Sequence, residues 1–278
     1  MNIAILKHIK NYAYQIGALV IKDLKLKSRY KVKFLFSIIV PFTTFLVPLL
    51  IFRTLFKTIG DESFGMWTPE NYILFILTGI FIVILVNLLP AYGKNLLREK
   101  YWKTLPGLFL SPVNIYNILI SKLLSELIIF IIPLIIVFVV CFIIAEASLF
   151  TIIFVLLIYI LAALFIGSIG LAIGSFRMAI EGGYKSFFFL VNLFLIFSCY
   201  KYPKEFFPEE LQFLTYWNPF YYYWDLIRAF LVFGYEYVIF DFNYAIHFVL
   251  IIILSITGPF LSVSFFNYMY KKYGLVGY

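Results

Sequence analysis

Few residues of this 278-residue chain have the types and spacing that catalysis requires. Adjacent acids occur at Asp61–Glu62 and at Glu209–Glu210, but neither pair belongs to a spaced acidic motif that could hold magnesium. The two histidines, His8 and His247, are far apart, so a metal site or a catalytic triad has little basis. No GxxxxGK(S/T) phosphate-binding loop occurs. We therefore predict that the chain is not an enzyme and holds no cofactor or metal of its own.

Glu126 is the ionisable residue that comes nearest to the middle of an apolar run. Charged groups at mid-membrane depth are typical of proton and ion transporters. The 19 uncharged residues that follow, Leu127–Ala145, suffice to span a bilayer. Glu126 then lies at the inner end of the span, one turn from Lys122. We expect an ordinary interfacial pair between these two residues; a proton site is the alternative.

The elements that must position these residues are strongly apolar. Hydrophobic residues make up 64% of the chain and charged residues 13%, against roughly a quarter charged in soluble domains. Five uncharged runs can each cross a bilayer core, which takes about 20 helical residues: Phe34–Phe52, Tyr72–Gly93, Leu127–Ala145, Ala147–Phe176 and Phe242–Tyr270. The runs do not alternate as β-barrel strands do. This composition excludes a soluble enzyme and predicts an all-α membrane protein.

The distribution of the net charge of +8 predicts the orientation. Bases outnumber acids eight to one in residues 1–33, four to one in Lys94–Val113, two to one in Arg177–Lys185 and two to none in Lys271–Tyr278. By the positive-inside rule these segments face the cytoplasm, which gives a multi-pass protein of the cytoplasmic membrane with both termini inside. Because membrane topology accounts for the positive charge, no nucleic-acid partner is predicted.

Two cytoplasmic termini require an even number of spans, so Ser186–Tyr200 is the predicted sixth, although it has only 15 residues. The spans then lie at approximately 34–52, 72–93, 115–145, 147–176, 184–200 and 242–270, within a single domain 1–278. Small residues in the fourth span, from Ala163 to the pair Gly170 and Gly174, indicate close helix packing, either within the chain or against a second copy.

The basic N-terminal segment, residues 1–33, is predicted to form an amphipathic interface helix. Its cations recur three and four residues apart on one face: Lys22, Lys25, Arg29 and Lys33. Ile16, Val20 and Leu24 lie on the opposite face. A basic and apolar helix of this kind binds the anionic inner leaflet, so membrane lipids are an expected partner. The alternative is a solvated helix whose positive charges only set the orientation of the protein in the membrane.

The outer segment, residues 201–241, is predicted to form a hairpin of two short re-entrant or interfacial helices between spans 5 and 6. Pro208 opens the first helix, whereas Asn218 caps the second, Pro219 begins it and Gly234 ends it. The residues that could form an outer gate or contact a substrate are Tyr216, Trp217, Tyr221, Tyr222, Trp224, Asp225 and Arg228. An aromatic belt at the membrane surface is the alternative.

The loop LREKYWKTLPGLFLSPVNIYN, Leu97–Asn117, resembles the cytoplasmic loop of type-2 ABC exporter permeases (ABC-2 type transporters). That loop has a charged RE pair, then TL, then SPV before the third span; here they are Arg98–Glu99, Thr104–Leu105 and Ser111–Val113. The segment WNPFYYYWDLIR, Trp217–Arg228, is similar to the family's outer segment, with NP, aromatics and D..R. The likeness covers essentially the whole chain. One departure is Pro106, where many members have an acid.

The resemblance implies a permease subunit that works with a separate ABC ATPase, which binds ATP and Mg, and with a second permease copy, identical or not. In the family the inner loop docks into the ATPase. The implied contact candidates are Arg98, Glu99, Tyr101, Trp102 and Lys103, together with the interface helix. An exposed Tyr–Trp pair suits a partner's groove because aromatics anchor interfaces. The alternative is that both aromatics face lipid headgroups.

The substrate implied by the resemblance is amphipathic, either drug or lipid-like, and it is exported. The alternative within the same architecture is a lipid-linked polysaccharide or another glycan. Two other classes stay open. A membrane-embedded transferase would turn over its substrate without an ATPase, and an assembly subunit would bind partners without nucleotide-driven transport.

Overall fold

The computed structural model describes residues 3–29, 31–59, 65–104, 107, 110, 113–129, 131–179 and 184–273. Within these ranges the chain is almost entirely helical and contains no β-strand. The twelve described α-helices are α1 (Ile3–Ser28), α2 (Lys31–Thr44), α3 (Leu46–Ile59), α4 (Tyr72–Val86), α5 (Leu88–Tyr101), α6 (Ile115–Ile129), α7 (Ile131–Ile144), α8 (Leu149–Ala179), α9 (Tyr184–Ile196), α10 (Glu209–Tyr216), α11 (Pro219–Phe240) and α12 (Phe242–Tyr273). The all-helical prediction is confirmed.

Among the described residues, four helical segments are long and apolar enough to cross a membrane: Ile39–Thr58, Tyr72–Ala91, Leu149–Ala179 and Phe242–Tyr273. The predicted third span corresponds to α6 and α7, which are bent by 60° and together can form a fifth. The predicted fifth span contains Lys185–Ile196, which is apolar but shorter. The described chain is therefore a multi-pass membrane protein with four or five candidate spans.

Helix α8 is the central helix of the bundle, and its most extensive contacts are with α12 and α5. A Cβ added at Gly170 would lie 3.2 Å from the carbonyl oxygen of Leu88 and 3.3 Å from the Cα of Leu89. The backbones of α8 and α5 therefore meet at this glycine, as small residues in membrane helices allow. The sequence predicted close packing either within the chain or against a second copy, and Gly170 packs within the chain.

The outer segment begins its helices where the sequence predicts. Helix α10 starts at Glu209, directly after Pro208. The Asn218 side chain accepts a hydrogen bond from the backbone N–H of Phe220 at 3.0 Å and caps α11. Gly234 has a positive φ of 79°, which ends the first helical part of α11 at the predicted position, and a second helical part follows it as far as Phe240. Gly234 is thus a kink.

The first half of α11 is buried inside the bundle. It packs against α8, α12 and α4, and the side chains of Tyr223 and Trp224 have no exposed surface. The Tyr223 hydroxyl lies 2.7 Å from the Ser255 hydroxyl on α12, and the Trp224 indole donates to the Ser198 hydroxyl. This part of the predicted hairpin is therefore an integral part of the helical core.

Candidate functional site

Seven charged residues and the amide Asn95, from three helices, meet where α1, the last turns of α5 and the second half of α6 pack together. We call this group the charged cluster; its members are Lys22, Asp23, Lys27, Asn95, Arg98, Glu99, Lys122 and Glu126. Helix α1 lies along α6, and the burial of Val20 and Asp23 marks the face of α1 that turns toward it. Packing of this amphipathic helix thus brings residues distant in sequence into one site.

Lys122 is the centre of the charged cluster. Its Nζ lies 2.9 Å from both carboxylate oxygens of Asp23 and 3.0 Å from Oε1 of Glu99. Lys122 is 3% exposed, and Asp23 and Glu99 are each 1% exposed. Charges buried this deeply are tolerated only when they are paired. Lys122 therefore holds α1, α5 and α6 together through two carboxylates.

The Glu99 carboxylate is bound by residues from both sides. The Lys22 ammonium donates to Oε1 at 2.8 Å, and the Thr104 hydroxyl donates to Oε2. Burial alone would raise the pKa of Glu99, but the charge of Lys122 and the hydrogen bonds from Lys22, Thr104 and Lys122 outweigh it and lower the pKa to about 2. Glu99 is therefore an anion at every physiological pH.

Glu126 forms a second ion pair beside the first. Its Oε1 lies 2.6 Å from Nζ of Lys27 on α1 and accepts from the side-chain amide of Asn95 on α5. The expected pair of Glu126 with Lys122 is therefore wrong, because Lys122 forms its ion pairs with Asp23 on α1 and Glu99 on α5. Burial lowers the pKa of Lys27, and the charge of Glu126 opposes that effect.

The end of α5 presents aromatic residues on the surface. Tyr101 is 74% exposed and Trp102 48% exposed, and the Arg98 guanidinium lies 5.3 Å from the centre of the Trp102 ring. Lys103, with a left-handed φ of 55°, is exposed just beyond the helix. Of the motif residues that follow, Leu105, Pro106, Ser111 and Pro112 lie outside the described residues.

The five predicted ATPase-contact residues thus differ in accessibility. Tyr101, Trp102 and Lys103 are exposed, Arg98 is partly buried, and Glu99 is inside the charged cluster. Glu99 can affect a docking partner only by holding Thr104 and the end of α5 in place. The assignment of these residues to an ATPase contact stays a prediction.

The four predicted interface-helix cations do not share one role. Lys22 turns inward to Glu99, whereas Lys25 and Arg29 are exposed. Lys33 belongs to α2, because α1 ends at Ser28, and its side chain lies outside the described residues.

Sequence reasoning missed three members of the charged cluster, Asp23, Lys27 and Asn95. Asp23 is the only acid among the first 33 residues, and that isolation in a basic segment is the signal that could have identified it. Nothing comparable marks Lys27 or Asn95, because their partner Glu126 comes from another helix.

At the opposite end of the bundle, Arg228 is buried without a carboxylate at ion-pair distance among the described residues. Its Nη1 donates to the carbonyl of Cys199 at 2.7 Å and its Nη2 to the carbonyl of Tyr200 at 3.0 Å. The guanidinium also lies 3.9 Å from the centre of the Phe75 ring. Arg228 therefore ties α11 to the turn that follows α9 and to α4.

Asp225 joins α11 to α12 at the same end. The Tyr221 hydroxyl donates to Oδ1 of Asp225 at 3.1 Å, and Nδ1 of His247 lies 3.2 Å from Oδ2. The Tyr222 ring packs on His247 with centroids 4.8 Å apart. We call Tyr221, Tyr222, Asp225, Arg228 and His247 the outer cluster.

The predicted gate residues separate into two groups. Tyr221, Trp224, Asp225 and Arg228 are buried and Tyr222 is partly buried, whereas Tyr216 is half exposed and Trp217 is 81% exposed. The exposed pair precedes α11, and the Tyr222 hydroxyl donates to the Tyr216 carbonyl. The structure brings Tyr221, Tyr222 and Asp225 together around His247, with Tyr216 beside them. Trp224 instead donates to Ser198, and Trp217 stays on the surface.

A comparison with known families identifies this architecture. The family model described as ABC-2 type transporter matches residues 14–232, which is most of the chain and includes the charged cluster and α11 as far as its kink. No curated protein matches the chain well enough to serve as a relative. The match confirms the resemblance carried by the loop and by the outer segment, and it implies a partnership with an ABC ATPase in general. This multi-pass membrane protein belongs to the ABC-2 type transporter family.

Proposed function

We propose that this chain is the permease subunit of an exporter that moves an amphipathic substrate, drug or lipid-like, out across the cytoplasmic membrane. A separate ABC ATPase supplies the energy. The observation that carries this proposal is the exposed pair Tyr101 and Trp102 at the end of a helix that is held firmly by the charged cluster. Two exposed aromatic side chains on a well-held helix can anchor an interface with a partner protein.

In the complete transporter, ATP and Mg are bound by the ATPase, and this chain itself does not hydrolyse nucleotide. The ATPase docks on Tyr101, Trp102 and Lys103. Arg98 and Glu99 hold the end of α5 in position beneath these three residues. Two permease copies and two ATPases form the assembly. The ion pairs of Glu99 with Lys22 and Lys122 support these separate roles, because they hold the helix that ends in the aromatic pair.

The proposed topology has six spans with both termini in the cytoplasm, and α9 serves as the short fifth span. The charged cluster then lies on the cytoplasmic side, where the positive-inside rule puts the basic segments. The interface helix α1 rests on the inner leaflet. Its exposed cations Lys25 and Arg29 support this placement, because each cation near an anionic surface contributes about 1 kcal/mol.

A glycan substrate is the second candidate. Tyr216 and Trp217 are exposed beside the outer cluster, and exposed aromatic faces of this kind pack on sugar rings as well as on flat hydrophobic compounds. Transport of both classes of substrate should therefore be compared.

The test is transport in proteoliposomes that contain the purified chain together with its ATPase. We expect ATP-dependent accumulation of a hydrophobic fluorescent drug inside inverted vesicles, and no accumulation with a catalytically inactive ATPase. Preferential transport of a lipid-linked glycan would select the second candidate. ATP cleavage or substrate turnover by the chain alone would contradict the proposal and favour a membrane-embedded transferase.

A further inference from the structure

A cavity lies where the turn between α7 and α8 meets the kink of α11; we call it the outer cavity. Its volume is about 370 Å³, which falls in the range of small-molecule sites, about 300–1,000 Å³. Residues 145–148 and Thr151 form one side of it, and residues 230–236 form the other. In the proposed topology the turn between the third and fourth spans faces outward, so this cavity is on the outer side of the membrane.

Two glutamates line the outer cavity, one on each side. Glu146 belongs to the turn and Glu236 follows the kink, and both side chains are exposed. The Tyr235 hydroxyl donates to Oε1 of Glu236 at 2.9 Å, which orients that carboxylate without neutralising it. The described residues that line the cavity include no lysine, arginine or histidine. The outer cavity therefore carries negative charge that no neighbouring cation of its lining compensates.

The kink of α11 adds a second source of negative potential. The first helical part of α11 begins at Pro219 and ends at Gly234, and its last turn, residues 230–233, lines the outer cavity. The last carbonyl groups of a helix have no partner within it, and they give that end a partial negative charge. This helix end therefore favours a cation in the cavity independently of the two glutamates.

The apolar part of the lining favours an organic cation over a metal ion. Residues 230–233 are Phe, Leu, Val and Phe, and Phe233 is exposed. A calcium ion takes about six to eight oxygen ligands, but no group of three or more His, Cys, Asp or Glu side chains that could hold a metal occurs in the part of the chain that the structure describes. Charge and apolar surface together therefore fit a ligand that is both positively charged and hydrophobic.

We propose that the outer cavity is a binding site for an amphipathic organic cation. The positive group of the ligand is attracted by Glu146, Glu236 and the helix end, and its apolar part packs on residues 230–233. This inference rests on the proposed function and deepens it, because it specifies that the exported substrate is positively charged and that the outer side of the protein holds it before release.

The test measures binding of tetraphenylphosphonium, a permanent hydrophobic cation, to the full chain in nanodiscs of neutral phosphatidylcholine without the ATPase. Glu146→Gln and Glu236→Gln should each weaken binding about fivefold, because one charge pair in a solvated site contributes about that factor. Ala147→Phe, which adds a ring to the cavity wall and keeps both charges, should also weaken binding. This variant separates occupancy of the cavity from attraction to the outer surface in general.

The matched control is Glu209→Gln, which removes an exposed acid at the start of α10, outside the lining of the outer cavity. It should bind tetraphenylphosphonium as the wild type does. Tetraphenylborate has the same shape and the opposite charge, so Glu146→Gln should not weaken its binding. Equal weakening of the cation and the anion would overturn the proposal, because it would show a loss of shape and not of charge.

Two further outcomes would overturn the cation site. Equal binding of tetraphenylphosphonium by the wild type, Glu146→Gln and Glu236→Gln would do so and leave the proposed function intact. Binding of calcium that displaces tetraphenylphosphonium and is lost in both variants would assign the two glutamates to a metal. If the cation instead bound as expected but no substrate were transported with the ATPase, the binding site would be supported and the proposed function contradicted.

Discussion

The charged cluster and the outer cluster solve the same problem, a buried cation in a membrane protein, in opposite ways. Lys122 is neutralised by two carboxylates that come from two other helices. Arg228 is instead held by the carbonyls of Cys199 and Tyr200 and by the Phe75 ring. Carboxylate partners sit on side chains that can change rotamer, whereas carbonyl partners are fixed by the backbone. The comparison indicates that side-chain charge holds the first end together, whereas backbone geometry holds the second.

The largest expected effect comes from removing the central cation of the charged cluster. Lys122→Met leaves Asp23 and Glu99 without their shared partner, and breaking a buried pair from one side costs about 3–5 kcal/mol. We expect the free energy of unfolding in detergent to fall by that amount. The control Lys271→Met, at an exposed position, should change it by less than about 0.5 kcal/mol. A loss below about 1 kcal/mol in Lys122→Met would show that the three helices do not depend on this lysine.

The second prediction uses pH. The pKa of Glu99 is lowered to about 2 from the ordinary value of 4.5. Its ionisation therefore stabilises the folded state fully above about pH 4.5, and this contribution is lost as the pH falls toward 2. At neutral pH, Glu99→Gln should lower the free energy of unfolding by up to about 3 kcal/mol.

Melting temperatures between pH 7 and pH 3 test this prediction. The difference between wild type and Glu99→Gln should narrow as the pH falls. Glu70→Gln, which changes an exposed acid, is the control and should differ little from the wild type throughout. If the difference in melting temperature between the wild type and Glu99→Gln did not change with pH, packing and not the charge of Glu99 would hold the end of α5.

The third prediction tests whether the outer cluster needs geometry or charge. Arg228→Lys keeps the charge, but an ammonium cannot bind two carbonyls in the fixed fork of a guanidinium. We expect a loss of about 1–2 kcal/mol in the free energy of unfolding. Accelerated thiol labelling of Cys199, which is buried and free in the native chain, would report loosening of the turn after α9. If Arg228→Lys kept the wild-type free energy of unfolding and the wild-type labelling rate of Cys199, the outer cluster would depend on charge and not on geometry.

The smallest expected effect concerns the start of α11. Asn218 caps the helix through Phe220 and donates from its amide to the carbonyl of Phe194 on α9. Asn218→Ala should lower the free energy of unfolding by about 1 kcal/mol. Asn218→Asp keeps the cap acceptor but loses the donor, so it separates the two contributions. Equal stability of all three proteins would mean that packing of Tyr223 and Trp224 alone positions α11.

Sequence patterns predicted the features that depend on neighbouring residues. The caps at Pro208 and Asn218 follow from local backbone hydrogen bonding and are found where expected. The apolar runs predicted an all-helical membrane protein because length and hydropathy are sufficient for that inference. The end of the first helical part at Gly234 was also predicted, because glycine readily adopts a positive φ. The second helical part, which continues to Phe240, was not predicted.

Partners that are distant in sequence were not predictable. Lys22 and Glu99 are 77 residues apart, and Lys122 and Asp23 are 99 residues apart. Local spacing favoured a pair of Lys122 with Glu126 one turn away, but each side chain finds a nearer charge on a facing helix. The carbonyl partners of Arg228 carry no sequence signal at all, because every residue has a carbonyl.

The glycine contact between α5 and α8 has a mechanical consequence. With Gly170 against the backbone of Leu88 and Leu89, the two helices have little room to slide past each other. Phe154, near the far end of α8, stacks on Phe230 of α11. We therefore expect that a displacement of α5 would move α8 with it and reach α11 through Phe154 and Phe230.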